Sequence, residues 1–363
     1  MFKETQRRLR GINIDSHDDW YTSGPGFPDG CPSLIDFSSQ RLSSQRHQEL
    51  FAHCDDGYSY RGPSYTLPSY PGFIYCPAAL SPTLITSLSH RCLNTYCESP
   101  HETNIDRIPP KPSEIIYNPH ENTEASDLDN HAGMHAGMLQ TMFHTMFEKE
   151  ILKIQGREKH YRNLNKLAWA TQGYNYDWTL RKYHEGRRSP FPNALAKLAQ
   201  SFASLSNSGP FTPQASIVNF YNSKSLMGGH QDDLELTFTK PVISLSMGLP
   251  CIFLLGGLDK SEPPCPILVR NGDVMIMGGE SRLRFHGMCR VLVNGSEGEM
   301  VSLPPVDEDL ICQEDKQIKE LEEEEVPGQE MESEEREGVE EFLKTHRINV
   351  NVRQVLPDGQ ESI

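Results

Sequence analysis

A chain of 363 residues is long enough to bury a substantial core. With 36 % hydrophobic and 23 % charged residues, it reads as a folded, enzyme-sized domain carrying polar insertions or tails. A formal charge of -16 excludes a protein that is basic all over, while leaving room for a local basic face. No run of eighteen apolar residues occurs, so no membrane partner is expected, and Lys3, Arg7, Arg8 and Arg10 are not followed by the apolar stretch of a secretory signal. Nine cysteines without a CxxC pair read as reduced thiols of an intracellular protein, placed in nucleus, cytoplasm or mitochondrion.

In chain order, residues 1–68 read as an irregular N-terminal arm with a short helix near its start, rich in Ser, Asp, Gly, Pro and Tyr. Residues 69–210 form a helical extension suited to contacting nucleic acid. It opens with an apolar run at Pro71–Pro77 that predicts a strand. A helix follows to Cys92, capped by Ser81 with Pro82 at its first position. Met134, Met138, Met142, Phe143, Met146 and Phe147 recur at helical spacing between Ala132 and Ile154. His131, His135 and His144 have no carboxylate or cysteine in pattern with them and read as surface or core residues.

Residues 211–356 change texture to short apolar runs broken by Gly and Pro. Ala215–Tyr221, Val242–Met247, Cys251–Leu255, Ile267–Arg270, Val274–Met277, Met288–Val293 and Ile348–Val355 all predict strands. The turns between Pro241 and Val293 leave no room for crossover helices, which excludes a parallel β/α fold. The fold class is therefore α+β: N-terminal helices on a jelly-roll, or double-stranded β-helix, core. An acidic insertion at 314–341 interrupts the core, with a helix only toward its end, where Val339, Phe342 and Leu343 can pack. Residues 357–363 are a tail, and the whole is expected to be a monomer.

The strongest chemical signal is His230-Gln231-Asp232. Two positions apart on an extended chain, His230 and Asp232 point the same way, and His286 is the candidate third ligand. Two imidazoles and a carboxylate leave half an iron(II) octahedron open for dioxygen and a chelating co-substrate. On spacing alone, histidines that merely hydrogen-bond at strand ends remain the alternative. The run Arg347-Ile348-Asn349-Val350-Asn351-Val352-Arg353 alternates polar and apolar, so both arginines and both asparagines share one face. Facing inward, they offer planar donors to a dicarboxylate; facing outward, they line a solvated edge. The stretch Lys153–Arg188 holds nine basic residues against three acids, interleaved with aromatic rings. Such a pattern suits phosphate contact and base stacking.

Further pieces stand in order along the chain: Tyr70-Pro71-Gly72-Phe73-Ile74, Leu167 to Trp178, Pro190-Phe191-Pro192, Val218 to Tyr221, Ile252 to Gly257, Gly272 to Gly278 and Ser281-Arg282-Leu283. From about Tyr70 to Leu356 the chain resembles the AlkB family of nucleic-acid dioxygenases, and within it the AlkB homolog 1 branch. The resemblance implies iron(II), 2-oxoglutarate and O2 as cofactor and co-substrates. It implies His230, Asp232 and His286 as catalytic metal ligands, with Asn219, Tyr221, Arg347, Asn349 and Arg353 around 2-oxoglutarate. It also puts Arg290 at the site. Trp169, Tyr174, Tyr176, Arg181, Lys182, Arg187 and Arg188 are the candidate substrate contacts. Two positions depart from the family pattern: Asn351 replaces a small hydroxyl residue, and Gly287-Met288-Cys289-Arg290 lacks a Val-Pro pair.

The implied activity is oxidative demethylation of a base, methylated adenine in tRNA or DNA, giving succinate, CO2 and formaldehyde. The base must be flipped out or unpaired, as in single-stranded DNA. Two other functions share these residues in whole or part. One is a same-fold dioxygenase acting on protein side chains; the other is an inactive nucleic-acid-binding module.

Overall fold

Where an apolar residue stands at every second position, a strand can bury one face against helices and keep the other for a second sheet. The computed structural model describes residues 1–10, 35–36, 51–54, 57–105, 167–177, 180–293, 331 and 333–363. The expected helix at 132–154, Trp178, the basic residues from Lys153 to Lys166 and most of the acidic insertion lie outside these residues.

The helices are α1 (Phe2–Arg10), α2 (Pro82–Leu93), α3 (Asn193–Ala203) and α4 (Ser333–Thr345). The early strands are β1 (Ile35–Asp36), β2 (Phe51–Cys54), β3 (Gly57–Tyr60), β4 (Tyr65–Leu67), β5 (Tyr70–Cys76) and β6 (Glu102–Thr103). Then come β7 (Trp169–Gly173), β8 (Asn175–Asp177), β9 (Lys182–His184), β10 (Ala215–Tyr221), β11 (Met227–His230) and β12 (Val242–Gly248). The last are β13 (Cys251–Leu255), β14 (Cys265–Val269), β15 (Val274–Met277), β16 (His286–Val291) and β17 (Arg347–Arg353).

Two sheets face each other in a jelly-roll arrangement. The larger runs β4-β5-β15-β12-β17-β10-β7-β6 and the smaller β1-β14-β13-β16-β11. All of their described pairings are antiparallel except β1 with β14. All seven strands expected after Pro210 are present, with ends shifted by up to two residues. The larger sheet also takes strands from 65–76, 102–103 and 169–173, so its strand set is wider than residues 211–356. The described residues of 1–68 include α1 and four strands.

Strand β17 is the centre of the larger sheet, paired over all seven residues with both β10 and β12. Its Ile348, Val350 and Val352 are fully buried in one cluster with Leu84 and Leu88 of α2, Leu195 and Phe202 of α3, and Val339 and Phe342 of α4. Helix α2 starts as its sequence predicts: the Ser81 hydroxyl accepts the Leu84 N–H at 3.2 Å, and Pro82 follows the cap. Helix α3 buries Leu195, Leu198, Ala199 and Phe202, a stripe at helical spacing. The other face of the larger sheet meets the smaller one through Phe73, Met275, Met277, Phe253, Ile267 and Met288. Outside the smaller sheet, Phe2 and Leu9 of α1 cover Ile252, Leu254 and Cys289.

The acidic segment thus ends in a helix that belongs to the core. Phe342 meets Phe220 edge-on at 6.5 Å and stacks on His346 at 4.3 Å. Phe342→Ala should lower the unfolding free energy by about 3–5 kcal/mol in urea titration. An unchanged midpoint would detach α4 from the core.

Candidate metal and co-substrate site

The register of β11 and β16 sets His230 directly opposite His286. Gly287 permits this approach, since a Cβ there would lie 2.8 Å from the Met227 carbonyl oxygen. The two rings are 4.4 Å apart between centroids. Asp232 follows in the loop, its two carboxylate oxygens each 3.9 Å from one histidine Nε2. The three donor atoms all lie within 4.8 Å of one another. Both imidazoles are fixed in one tautomer by main-chain oxygens. Nδ1 of His230 donates to Gly228 O at 2.9 Å, and Nδ1 of His286 donates to Arg284 O at 3.1 Å. A carbonyl can only accept, so each Nε2 keeps its lone pair for a metal.

Electrostatics favours the same state. Burial, then the neighbouring His230, push the His286 imidazole down to about 4, against the pull of Asp232. Burial by itself raises the Asp232 carboxyl. Arg353, His286, His230 and Arg282 outweigh it and hold the group well below the usual carboxylate range. His286 is thus kept neutral and Asp232 anionic, and with the His230 imidazole this donor set fits a divalent first-row metal.

Beside the cluster opens a cleft of about 560 Å³, counted to its mouth, lined by Tyr221, Arg347, Asn349 and Asn351 among others. The polar face of β17 therefore turns inward, as the family resemblance implies, and is not the solvated edge. Arg347 is buried, and its partners are neutral: Leu249 O at 3.3 Å and Ser246 Oγ at 2.8 Å. No carboxylate pairs with it among the described residues. Asn351 Nδ2 donates to Asn349 Oδ1 at 3.0 Å, and Asn349 Nδ2 donates to Ser244 Oγ at 2.9 Å. The asparagine that replaces a small hydroxyl residue is thus tied into the cleft wall. Burial raises the Tyr221 phenol despite Arg347, so it stays protonated and able to donate. A buried cation, a phenolic donor and an amide row suit a small dicarboxylate.

Arg353 and Asn219 share that inner face without lining the cleft. Arg353 sits behind Asp232, donating to its Oδ2 from Nε at 3.2 Å and Nη2 at 2.8 Å, while its buried Nη1 has no hydrogen-bond partner among the described residues. Asn219 stands in one cross-strand row with Trp169 and Asn349, which places half-buried Trp169 on the same face.

Other expected contacts are corrected. Tyr174 and Tyr176 are only 1 % and 4 % exposed, packed with Tyr183, Val355 and Leu356, so they offer no stacking face. Arg187 is taken up by Glu102 and Asp177. Arg188 lies over the Tyr174 ring at 4.6 Å and 3.8 Å from Glu185, yet stays exposed. The pairing of β13 with β16 shifts register beside Cys289, and Arg290 falls opposite outward-facing Ile252, donating to Arg10 O of α1 at 3.5 Å instead of entering the cleft. Arg181 and Lys182 remain exposed on the β8–β9 hairpin, with Arg181 at φ 52 and 3.7 Å from Asp233. Glu235 stands in no site pattern of the sequence, Arg282 only inside a short motif, and Tyr183 only among the aromatic rings of the basic stretch Lys153–Arg188.

With this geometry, comparison with known proteins becomes specific. A family model described as the 2OG-Fe(II) oxygenase superfamily matches residues 134–353, more than half of the chain. The nucleic acid dioxygenase ALKBH1 of Homo sapiens is 33 % identical over 302 residues, 82 % of this chain and 67 % of that protein. The DNA N(6)-methyladenine demethylase ALKBH1A of Arabidopsis thaliana is 30 % identical over 81 % of this chain and 78 % of its own length. The tRNA demethylase abh1 of Schizosaccharomyces pombe is 37 % identical over 38 % of this chain and 46 % of its own. The protein is an iron(II)- and 2-oxoglutarate-dependent dioxygenase. It belongs to the 2OG-Fe(II) oxygenase superfamily and, within that, to the AlkB family.

The depressed His286 makes the metal-free protein acid-sensitive. Unfolded, this imidazole takes a proton near its ordinary 6.5; folded, it resists until about 4. Stability is therefore complete above pH 6.5 and falls by up to about 3 kcal/mol as pH drops toward 4. His286→Gln should flatten this part of the curve in pH-dependent urea unfolding; an equally steep variant would contradict the assignment.

Proposed function

We propose that this chain demethylates nucleic acid bases, with methylated adenine in tRNA, in DNA or in both as substrate. The observation that carries this reading is the meeting, in one cleft, of the His-Asp-His cluster with a buried arginine that has no carboxylate partner among the described residues. The nucleic acid part draws on the names of the relatives and on the exposed cationic tip of the hairpin at Arg181 and Lys182.

When bound, iron(II), 2-oxoglutarate and dioxygen supply an oxidative decarboxylation that hydroxylates the methyl carbon, which then leaves as formaldehyde. His230, His286 and Asp232 would hold the metal through two Nε2 atoms and a carboxylate oxygen. Arg347 would pair with the far carboxylate of the co-substrate, and the Tyr221 hydroxyl would donate beside it. Asn349 and Asn351 keep the wall between them rigid. Phe253, Met227 and Met288 give the cleft apolar sides that exclude water. The half-buried Trp169, in the Asn219 and Asn349 row, would meet the base, and the exposed Arg181 and Lys182 would meet phosphates.

A base in a pocket must leave its stack, at a cost of a few kcal/mol that is least where pairing is already lost. A methyl group on the pairing edge, as in 1-methyladenosine, meets that condition. Mass spectrometry of nucleosides should show faster demethylation of 1-methyladenosine in a loop RNA than in duplex RNA, assayed beside single-stranded and bubble DNA. Loss of no methyl group from any nucleic acid would overturn the proposal. Arg347→Ala should raise the KM for 2-oxoglutarate at least tenfold, since losing a charged partner at a desolvated site costs about 2–5 kcal/mol; an equal KM would remove Arg347 from the co-substrate site. Arg181→Ala with Lys182→Ala should reduce the salt slope of binding to single strands by about 1. An unchanged slope would take the hairpin tip off the phosphates.

A further inference from the structure

Behind Asp232 lies a buried ionic cluster that supplies no metal ligand. Glu235 is its hub. Oε1 of Glu235 accepts the Tyr183 hydroxyl at 2.9 Å and lies 3.5 Å from Arg353 Nε, while Oε2 accepts Arg282 Nη2 at 3.0 Å. The two arginines then grip Asp232 from opposite ends. Arg353 donates twice to carboxylate Oδ2, and Arg282 Nη1 donates to the main-chain oxygen of Asp232 at 2.6 Å. Arg282 also donates to Lys240 O at 3.1 Å, which ties down the far end of the loop that carries Asp232. All four side chains are more than nine-tenths buried.

The charges explain the arrangement. Without Glu235, two buried guanidinium groups would share the single charge of Asp232, and Arg282 would lose its one anionic partner among the described residues. With Glu235 present, Arg353 is divided between two carboxylates and engages only Oδ2 of Asp232. Oδ1 is left facing His230 at 3.9 Å. Tyr183, in turn, restrains the Glu235 oxygen that faces Arg353.

We propose that Glu235 and Tyr183 are positioning residues for the metal centre: acting through Arg353 and Arg282, they set the orientation in which Asp232 meets a divalent ion. Tyr183 belongs to β9, so the hairpin with Arg181 and Lys182 at its tip is linked to the metal centre through Glu235, Arg353 and Asp232. The inference rests on the assignment of His230, Asp232 and His286 as ligands.

The test is the affinity of the full-length, metal-free protein for Mn(II), read by electron paramagnetic resonance of the unbound ion. It is made at a temperature where melting curves show each variant folded, so that a change in global stability alone leaves the affinity unmoved. Glu235→Gln should weaken binding about 10- to 100-fold, the range for groups that orient metal ligands. Tyr183→Phe removes one oxygen, keeps the ring against Tyr176, and should weaken binding about threefold. Asp232→Ala should abolish saturable binding. Lower melting temperatures with unchanged Mn(II) affinity in both variants would overturn the inference. If Glu235→Gln does not fold, Tyr183→Phe decides alone. If Asp232→Ala binds as well as the parent, the ligand assignment itself fails.

Discussion

A guanidinium inside a sheet sandwich has lost its water, and the loss costs several kcal/mol unless an anion meets it. Strand β17 carries two such groups on one face in the middle of the larger sheet. Arg353 is met by Asp232 and Glu235. Arg347 is met only by a hydroxyl and a carbonyl among the described residues, which leaves the cleft with a standing demand for negative charge. The rest of the site is arranged around these two demands. On the proposed reading, one is answered by a carboxylate that would also hold the metal, the other by a co-substrate carrying a carboxylate at each end.

That face can be polar because the opposite face is fully apolar. Ile348, Val350 and Val352 bury against three helices, so the strand cannot slip by one residue without turning both arginines into the helical layer. Pairing with β10 and β12 over seven residues each locks the same register. The histidines depend on a second register, that of β11 against β16. It is backed from outside by α1: Gln6 donates to Met227 O at 3.0 Å, and Phe2 fills the space over Gly229 and Gly256.

Much of this was legible in the sequence, because its signals are local. The two-residue period of 347–353, the spacing of His230 and Asp232, and the cap at Ser81 each follow from a few adjacent residues. The buried end of the acidic helix follows from Val339, Phe342 and Leu343 alone. What escaped is non-local or depends on which side a ring faces. Glu235 and Tyr183 are 52 positions apart; Glu235 stands in no pattern that marks a site, and Tyr183 stands in one that points to base stacking instead of to the metal centre. Tyr174 and Tyr176 sit among basic residues, yet the hairpin turns both inward onto Val355 and Leu356. Arg290 is four positions after His286, and a register shift beside Cys289 sends it to the outer face. No composition or periodicity reports such a shift.

The central claim is that the cleft holds a chelated metal and a dicarboxylate together. Titrating 2-oxoglutarate into the anaerobic iron(II) protein and following visible absorbance tests it most directly. A charge-transfer band should grow to saturation at one equivalent and be absent with succinate, which lacks the keto oxygen needed to chelate. A flat spectrum from a protein shown to retain its iron would contradict it.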